Sequence, residues 1–281
     1  MGNNYYVAVL MTVFNRKEKT LLCLEKLFSQ SISPQIKIDV YLTNDGCTDQ
    51  TPEMVKRLYP QINIINGDGT LYWNRGMLTA WKEAYKTKDY DFYLWLNDDT
   101  FLYTNALSTL INASQTTKNK SVIVGTTAST SNCNKITYGG KYKNRMIVPN
   151  GNLQECDWIN GNIVLIPKHV FHIVGMNDPI YHHSLGDNDY GLRVIEHGLK
   201  NYVAPYIIGE CDRHANIAKW KDPSMPLSIR WKAMREPTGI CPEEFFIYEK
   251  RHKGLIIACF HYLTIHIHCI LPNIWNYKSN N

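Results

Sequence analysis

Two adjacent carboxylates in Asn97-Asp98-Asp99-Thr100 follow directly on the apolar run Phe92 to Leu96, an arrangement that core packing alone does not explain. Such a pair supplies hard oxygen ligands, and Mg2+ or Mn2+ completes its shell around them with water and phosphate oxygens. A polar turn capping the next helix accounts for the same four residues, so both readings stay open. Asp187 and Asp189, in Gly186-Asp187-Asn188-Asp189-Tyr190-Gly191-Leu192-Arg193, divide in the same way. Carboxylates at a helix start cap its exposed amides, yet one beside a cleft can also take the proton of a hydroxyl nucleophile. Arg75, in Trp73-Asn74-Arg75-Gly76, opens a helix, where a guanidinium and free amides can hold phosphate; an ordinary surface ion pair is the plainer account. His214 follows the last expected strand and is either a ligand or a structural histidine.

The elements that must position these groups read as strands alternating with helices. Tyr6 to Val13 is a continuous β-branched and apolar run, the pattern of a strand buried on both faces. Leu21, Leu24, Leu27 and Phe28 recur at helical spacing, and Ile36, Ile38, Val40 and Leu42 alternate as a strand. Further on come a helix over Pro52 to Leu58, a strand over Ile62 to Ile65, a helical face of Met77, Trp81, Ala84 and Tyr85, and the strand Phe92 to Leu96. This order predicts an α/β, Rossmann-like and mainly parallel sheet with helices on both faces. Polar residues and glycines sit just after the strands, at Asn15, Asn44 to Gly46, Gly67 to Gly69 and Asn97 to Thr100, where an open α/β sheet binds ligands. The second half is less regular: hairpin strands at Ile136 to Tyr142 and Arg145 to Val148, a buried strand over Trp158 to Pro167, a helix over Asp187 to His197 and a strand over Tyr202 to Ile208. Thr126 to Asn152 is rich in Ser, Thr, Asn and Gly, and the half forms a smaller acceptor-side subregion.

Composition narrows the field. The 281 residues are 44% hydrophobic and 20% charged, which excludes a mainly disordered chain. The formal charge is only +5, too weak a balance for a nucleic-acid binder. Eight cysteines include no CxxC and none at zinc-finger spacing to His, and the first residues show no secretory pattern, so reduced thiols in a cytoplasmic protein are expected. A dinucleotide fingerprint would need glycine where Tyr72 stands, and GxxxxGK[ST] and GxSxG are both absent.

Taken in order, Thr12-Val13-Phe14-Asn15-Arg16, Asn44-Asp45-Gly46-Cys47-Thr48-Asp49, Trp73 to Gly76, Leu96 to Thr100, Asp157-Trp158-Ile159-Asn160-Gly161 and Gly186 to Arg193 resemble family 2 glycosyltransferases of the GT-A fold. Within that family the chain looks most like bacterial, rhamnosyltransferase-like enzymes of surface-polysaccharide synthesis. The resemblance implies a nucleoside-diphosphate-sugar donor, a glycan or lipid-linked glycan acceptor, and a Mn2+ or Mg2+ cofactor. It places Thr12, Phe14 and Arg16 in the nucleotide pocket, Asn44 or Asp45 near the base, and Asn74 and Arg75 near the nucleotide or diphosphate. The family's Asp-x-Asp motif has Asn97 in its first position here. Asp99 is then the expected metal ligand, with Asp98 alongside, Asn97 near the ribose and His214 as a second ligand. Asp187 matches the Asp of a Glu-Asp motif whose Glu is replaced by Gly186, which makes it the expected base of a single inverting displacement, with Asp189 in reserve. Trp158, Asn160 and Gly161 fall in the donor-sugar and acceptor region. A nucleotidyltransferase would usually carry a glycine-rich phosphate loop after its first strand, and Thr12 to Lys19 contains no glycine. A non-catalytic glycan-binding protein would have little use for Arg75, Asp99 and Asp187 together.

The expected division is a catalytic domain over 1–215, with a nucleotide half over 1–125 and an acceptor half over 126–215, then an extension over 216–281. Nine basic residues against five acidic ones lie between Arg213 and Lys253, and Leu255 to Trp275 is largely apolar with no formal charge. His261, His266, His268 and Pro272 argue against a lipid-exposed span. An element packed on the domain is expected first, and attachment to the inner face of the cell membrane second.

Overall fold

The computed structural model describes residues 4–213 and 218–273. The chain forms two compact units, Met1–Pro179 with Asp187–Arg213, and Ile180–Gly186 with His214–Asn281.

In chain order the first unit runs β1 (Tyr5–Val13), α1 (Lys17–Phe28), β2 (Ile36–Asn44), α2 (Thr51–Leu58), β3 (Asn63–Asn66), α3 (Tyr72–Thr87), β4 (Phe92–Leu96), β5 (Phe101–Leu102) and α4 (Ala106–Thr116). It continues with β6 (Ser121–Ser129), β7 (Asn132–Tyr138), β8 (Lys141–Tyr142), β9 (Arg145–Met146), β10 (Gln154–Cys156), β11 (Ile163–Pro167), α5 (Lys168–Val174), α6 (Gly186–Glu196) and β12 (Lys200–Glu210). The main sheet has the order β3-β2-β1-β4-β11-β6-β12-β10, with β5 on β12 and β7 on β6. β1, β2, β3 and β4 are mutually parallel, β6 and β12 are parallel, and β11 runs antiparallel between β4 and β6.

The period of two along each strand creates two cores. Val7, Val9 and Met11 of β1 and Phe92, Leu94 and Leu96 of β4 face Leu24 and Leu27 of α1 and Leu107 and Leu110 of α4. Ala8, Leu10, Tyr93 and Trp95 face Met77, Ala80, Trp81 and Ala84 of α3. Phe28 and Tyr85, expected on these buried faces, are 37% and 46% exposed instead. Each sits near the end of its helix and packs on another ring, Phe28 stacked on Tyr59 and Tyr85 edge-on to Phe171.

Three expectations for the second half change. Residues 126–129 belong to β6, all nine of whose residues are buried; the hydroxyls of Thr127 and Thr137 bond to each other at 2.9 Å, which lets polar residues occupy a buried strand. The expected hairpin is reduced to β8 and β9, because β7 leaves it to pair with β6. The strand expected from Trp158 begins only at Ile163, since an Asn160 side-chain turn to the Asn162 amide (3.2 Å) holds the preceding residues in a loop.

In the second unit a short 3-10 turn (Lys219–Lys221) precedes α7 (Leu227–Arg235), α8 (Pro242–Lys253) and α9 (Leu255–Ile270). Trp220, Ala233, Met234, Ile265 and Cys269 form its core. The buried Glu249 is matched by Lys253 and His261, each at 2.9 Å.

Gly76 lets α3 press onto the sheet. A Cβ there would lie 2.2 Å from Thr12 Oγ1 and 2.8 Å from Thr12 Cβ. Gly76→Ala should destabilise the fold by about 1–3 kcal/mol, as overpacking does elsewhere, read as a lower urea midpoint; an unchanged midpoint would show that α3 can shift away freely.

Candidate active site

β4 is buried along its whole length and ends at Leu96, so the turn that follows starts from the middle of the sheet. Asp98 and Asp99 are 5% and 6% exposed there. Arg16, from the loop after β1, meets both: Nη1 lies 3.2 Å from Asp98 Oδ1 and 2.8 Å from Asp99 Oδ2. Burial drives the pKa of Asp98 up to about 7, Arg16 partly offsets that rise, and Asp99 adds to it. The Cys211 thiol stands 3.7 Å from Asp99 Oδ1 and is pushed up to about 12, by burial first and by Asp99 second.

The neighbouring residue, Asn97, ties this pair to a second carboxylate. Its Oδ1 accepts the indole N–H of Trp73 at 2.6 Å, and its Nδ2 donates to Asn162 Oδ1 at 2.8 Å. The Trp73 ring in turn lies against Gly161, where a Cβ would come within 2.3 Å of it. The Gly161 amide donates to Asp187 Oδ2 at 2.8 Å, and Asp187 Oδ1 accepts from the Asn188 amide at 2.8 Å. Burial raises the pKa of Asp187, and these amide donors work against the rise. Contacts therefore run unbroken from Arg16 through Asp99, Asp98, Asn97, Trp73 and Gly161 to Asp187. Sequence pattern does not single out Trp73, Asn162 or Cys211, although Trp73 begins the segment Trp73 to Gly76 and Asn162 directly follows Gly161.

The other expected residues divide between surface and scaffold. Phe14 is 55% exposed beside Arg16, while Thr12 packs under α3. Asp45 is buried and accepts the amides of Gly69 (3.0 Å), Leu71 (3.2 Å) and Tyr72 (2.8 Å), so it holds the loop that leads into α3. Asn44 accepts from the Cys47 amide at 2.9 Å and donates to Asn66 at 3.1 Å. Asn74 is fully buried and bonds the Asp178 carbonyl and the Asn177 amide group, and Arg75 Nε donates to the Pro179 carbonyl at 2.8 Å. Asp189 is fully buried in an ion pair with Arg193 (2.9 Å), whose other nitrogens hold the Val174 and Met176 carbonyls. Trp158 lies half-buried under the ammonium of Lys141, 4.2 Å from the ring centre. His214 lies outside the described residues.

Asp98 and Asp99 fit a hard divalent cation by donor chemistry: both are oxygen ligands, and Arg16 already supplies positive charge between them. Among the described residues no group of three or more His, Cys, Asp and Glu could hold a metal ion. A cation bound there would draw its remaining ligands from solvent or a diphosphate.

The profile of Glycosyl transferase family 2 matches residues 8–166, more than half of the chain, which takes in the acidic pair and Trp158 to Gly161 and ends before Asp187. No curated protein sequence matches. Among solved structures, TarS of S. aureus is 10% identical over 93% of this chain and 43% of its own, with a TM-score of 0.51. TarS residues 1–349 in complex with UDP is 11% identical over 86% of this chain and 65% of its own, with a TM-score of 0.53. GalNAc-T7 with UDP, GalNAc and Mn2+ is 12% identical over 89% of this chain and 51% of its own, with a TM-score of 0.60. The chain thus spans less than two thirds of each of them, and it shares their GT-A fold.

With its folded-state pKa lifted from 3.8 to about 7, Asp98 keeps in the folded chain a proton that the unfolded chain has already lost. Stability should therefore fall as pH rises from about 4 to about 7. Asp98→Asn should flatten urea midpoints across that range in metal-free protein. An unchanged slope would assign the proton to another group.

Proposed function

The chain belongs to glycosyl transferase family 2, and from that premise we propose that it moves a sugar from a nucleoside diphosphate to a hydroxyl of a glycan or lipid-linked glycan, by a single inverting displacement, in bacterial surface-polysaccharide synthesis. The observation that carries this reading is the continuous contact path from the buried acidic pair at the end of β4 to Asp187. It couples a site suited to a cation and diphosphate with a carboxylate suited to a proton.

Asp187 is the base. It has no ion pair among the described residues, whereas the carboxylate of Asp189 is committed to Arg193. Burial makes Asp187 a stronger base than a solvated carboxylate, and the Gly161 and Asn188 amides fix its orientation. It takes the acceptor hydroxyl's proton as the oxygen bonds to the anomeric carbon and the bond to the diphosphate breaks, releasing the nucleoside diphosphate. Asp99 with Asp98 would hold Mn2+ or Mg2+, which when bound offsets charge on the leaving diphosphate. Arg16 guards the acids until then and, being 40% exposed, is free to turn toward the donor's phosphates. Trp73 and Gly161 set the distance between the two carboxylate sites, and Trp158 offers an aromatic face to a sugar ring. Nucleotide-sugar use fits a cytoplasmic enzyme whose lipid-linked acceptor lies at the inner membrane face.

Asp187→Asn should lower turnover about 100- to 10,000-fold in a protein that remains folded by circular dichroism. Asp189→Asn should instead lose roughly 3–5 kcal/mol of stability as the half-buried Arg193 loses its counter-charge. Full turnover by Asp187→Asn would remove it as the base. Binding and slow hydrolysis of UDP-, dTDP- and GDP-sugars, each with and without Mn2+, tests the donor class; one of them should bind in a Mn2+-dependent way, and no binding by any would overturn the reading.

A further inference from the structure

Helix α9 is apolar on two opposite sides. Ala258, Ile265 and Cys269 point inward, where Ile265 and Cys269 join Trp220, Ala233 and Met234 in the core of the second unit. On the other side Ile256, Phe260, Leu263, Ile267 and Ile270 are 45% to 87% exposed. Their spacing of four, three, four and three residues places them in one stripe along the helix. A core-packing helix normally turns charge toward solvent; this one turns large aliphatic and aromatic side chains outward, and α9 carries no Asp, Glu, Lys or Arg at all.

Charge lies at one end of the stripe. Lys250, Arg251 and Lys253 close α8 and are exposed, immediately before the Gly254 break that starts α9. The nearest acid in sequence, Glu249, is buried between Lys253 and His261 and offers nothing to an outside partner. A helix of 16 residues is about 24 Å long. No described helix is long and apolar enough to cross a membrane, and the inward face of α9 is already packed.

We propose that this face of α9 docks in the plane of an anionic lipid surface, with Ile256, Phe260, Leu263, Ile267 and Ile270 entering the headgroup–acyl boundary, Lys250 pairing with lipid phosphates, and Arg251 and Lys253 adding to the local positive field. A second copy of the chain fits the face less well, because α9 has no acid to meet another copy's lysines and arginine. The proposal goes beyond the transferase reading and does not rest on it.

The test is co-sedimentation of the full chain, without nucleotide, with vesicles of phosphatidylcholine alone and of phosphatidylcholine mixed with phosphatidylglycerol. Binding should require phosphatidylglycerol and weaken with salt. Phe260→Ser with Leu263→Ser should abolish it, and Lys250→Glu, at an exposed lysine outside the Glu249 pair, should weaken it roughly tenfold, with circular dichroism unchanged in both variants. Circular dichroism that does change would be resolved by Ile256→Ser, at the most exposed position of the stripe, which should weaken binding on its own. The proposal is overturned if the wild-type chain stays in the supernatant with both vesicle types. It is equally overturned if the serine variant still binds vesicles while a concentration-dependent dimer of the wild type becomes monomeric, since the occupant would then be a second copy.

Discussion

Burying two adjacent carboxylates at the end of a central strand is the constraint around which the first unit is arranged. Like charges that close cannot both ionise cheaply away from water, and Asp98 responds by holding its proton up to about pH 7. Arg16 relieves part of that cost, and it can do so only because β1 and β4 are adjacent and parallel, which brings the loop after one beside the turn after the other. A strand order that separated them would leave the acids without a cation. Under the function proposed above, a divalent ion with a diphosphate would take over that relief from the guanidinium.

A second arrangement follows from small residues at close approaches. Gly161 leaves room for the Trp73 ring, and that ring's N–H fixes Asn97. Gly76 leaves room for Thr12, which sets the depth at which α3, and so Trp73, sits on the sheet. Asp45 holds the amides that lead into α3. Asp45, on the amides that lead into α3, and Asn74, on the Asp178 carbonyl, thus also help to hold the helix that carries Trp73. The distance from the acidic pair to Asp187 is set by Asn97, Trp73 and the loop glycine Gly161.

The second unit obeys a different rule. Its core is small and aromatic at one end, its buried acid is matched by Lys253 and His261, and its last described helix shows apolar residues to both core and solvent. Residues Ile274 and Trp275, which completed the apolar segment in sequence, lie outside the described residues, and the stripe from Ile256 to Ile270 stands without them.

Much of the first unit was legible in the sequence because strands buried on both faces are continuous apolar runs, as in β1 and β4, and because a polar cluster breaking such a run marks its carboxyl end. Asn97 to Asp99 stood out for that reason, Gly186 to Asp189 as carboxylates at a helix start, and six short motifs in order carried the family. β6 was not legible: its Thr and Ser residues resemble a loop until a cross-strand partner such as Thr137 satisfies them. Nor could local pattern separate Asp187 from Asp189, two carboxylates in one helical turn. Only the tertiary structure pairs Asp189 with Arg193 and sets Asp187 on the Gly161 amide, because a carboxylate's role depends on which groups the fold brings within about 3 Å of it, the reach of a hydrogen bond.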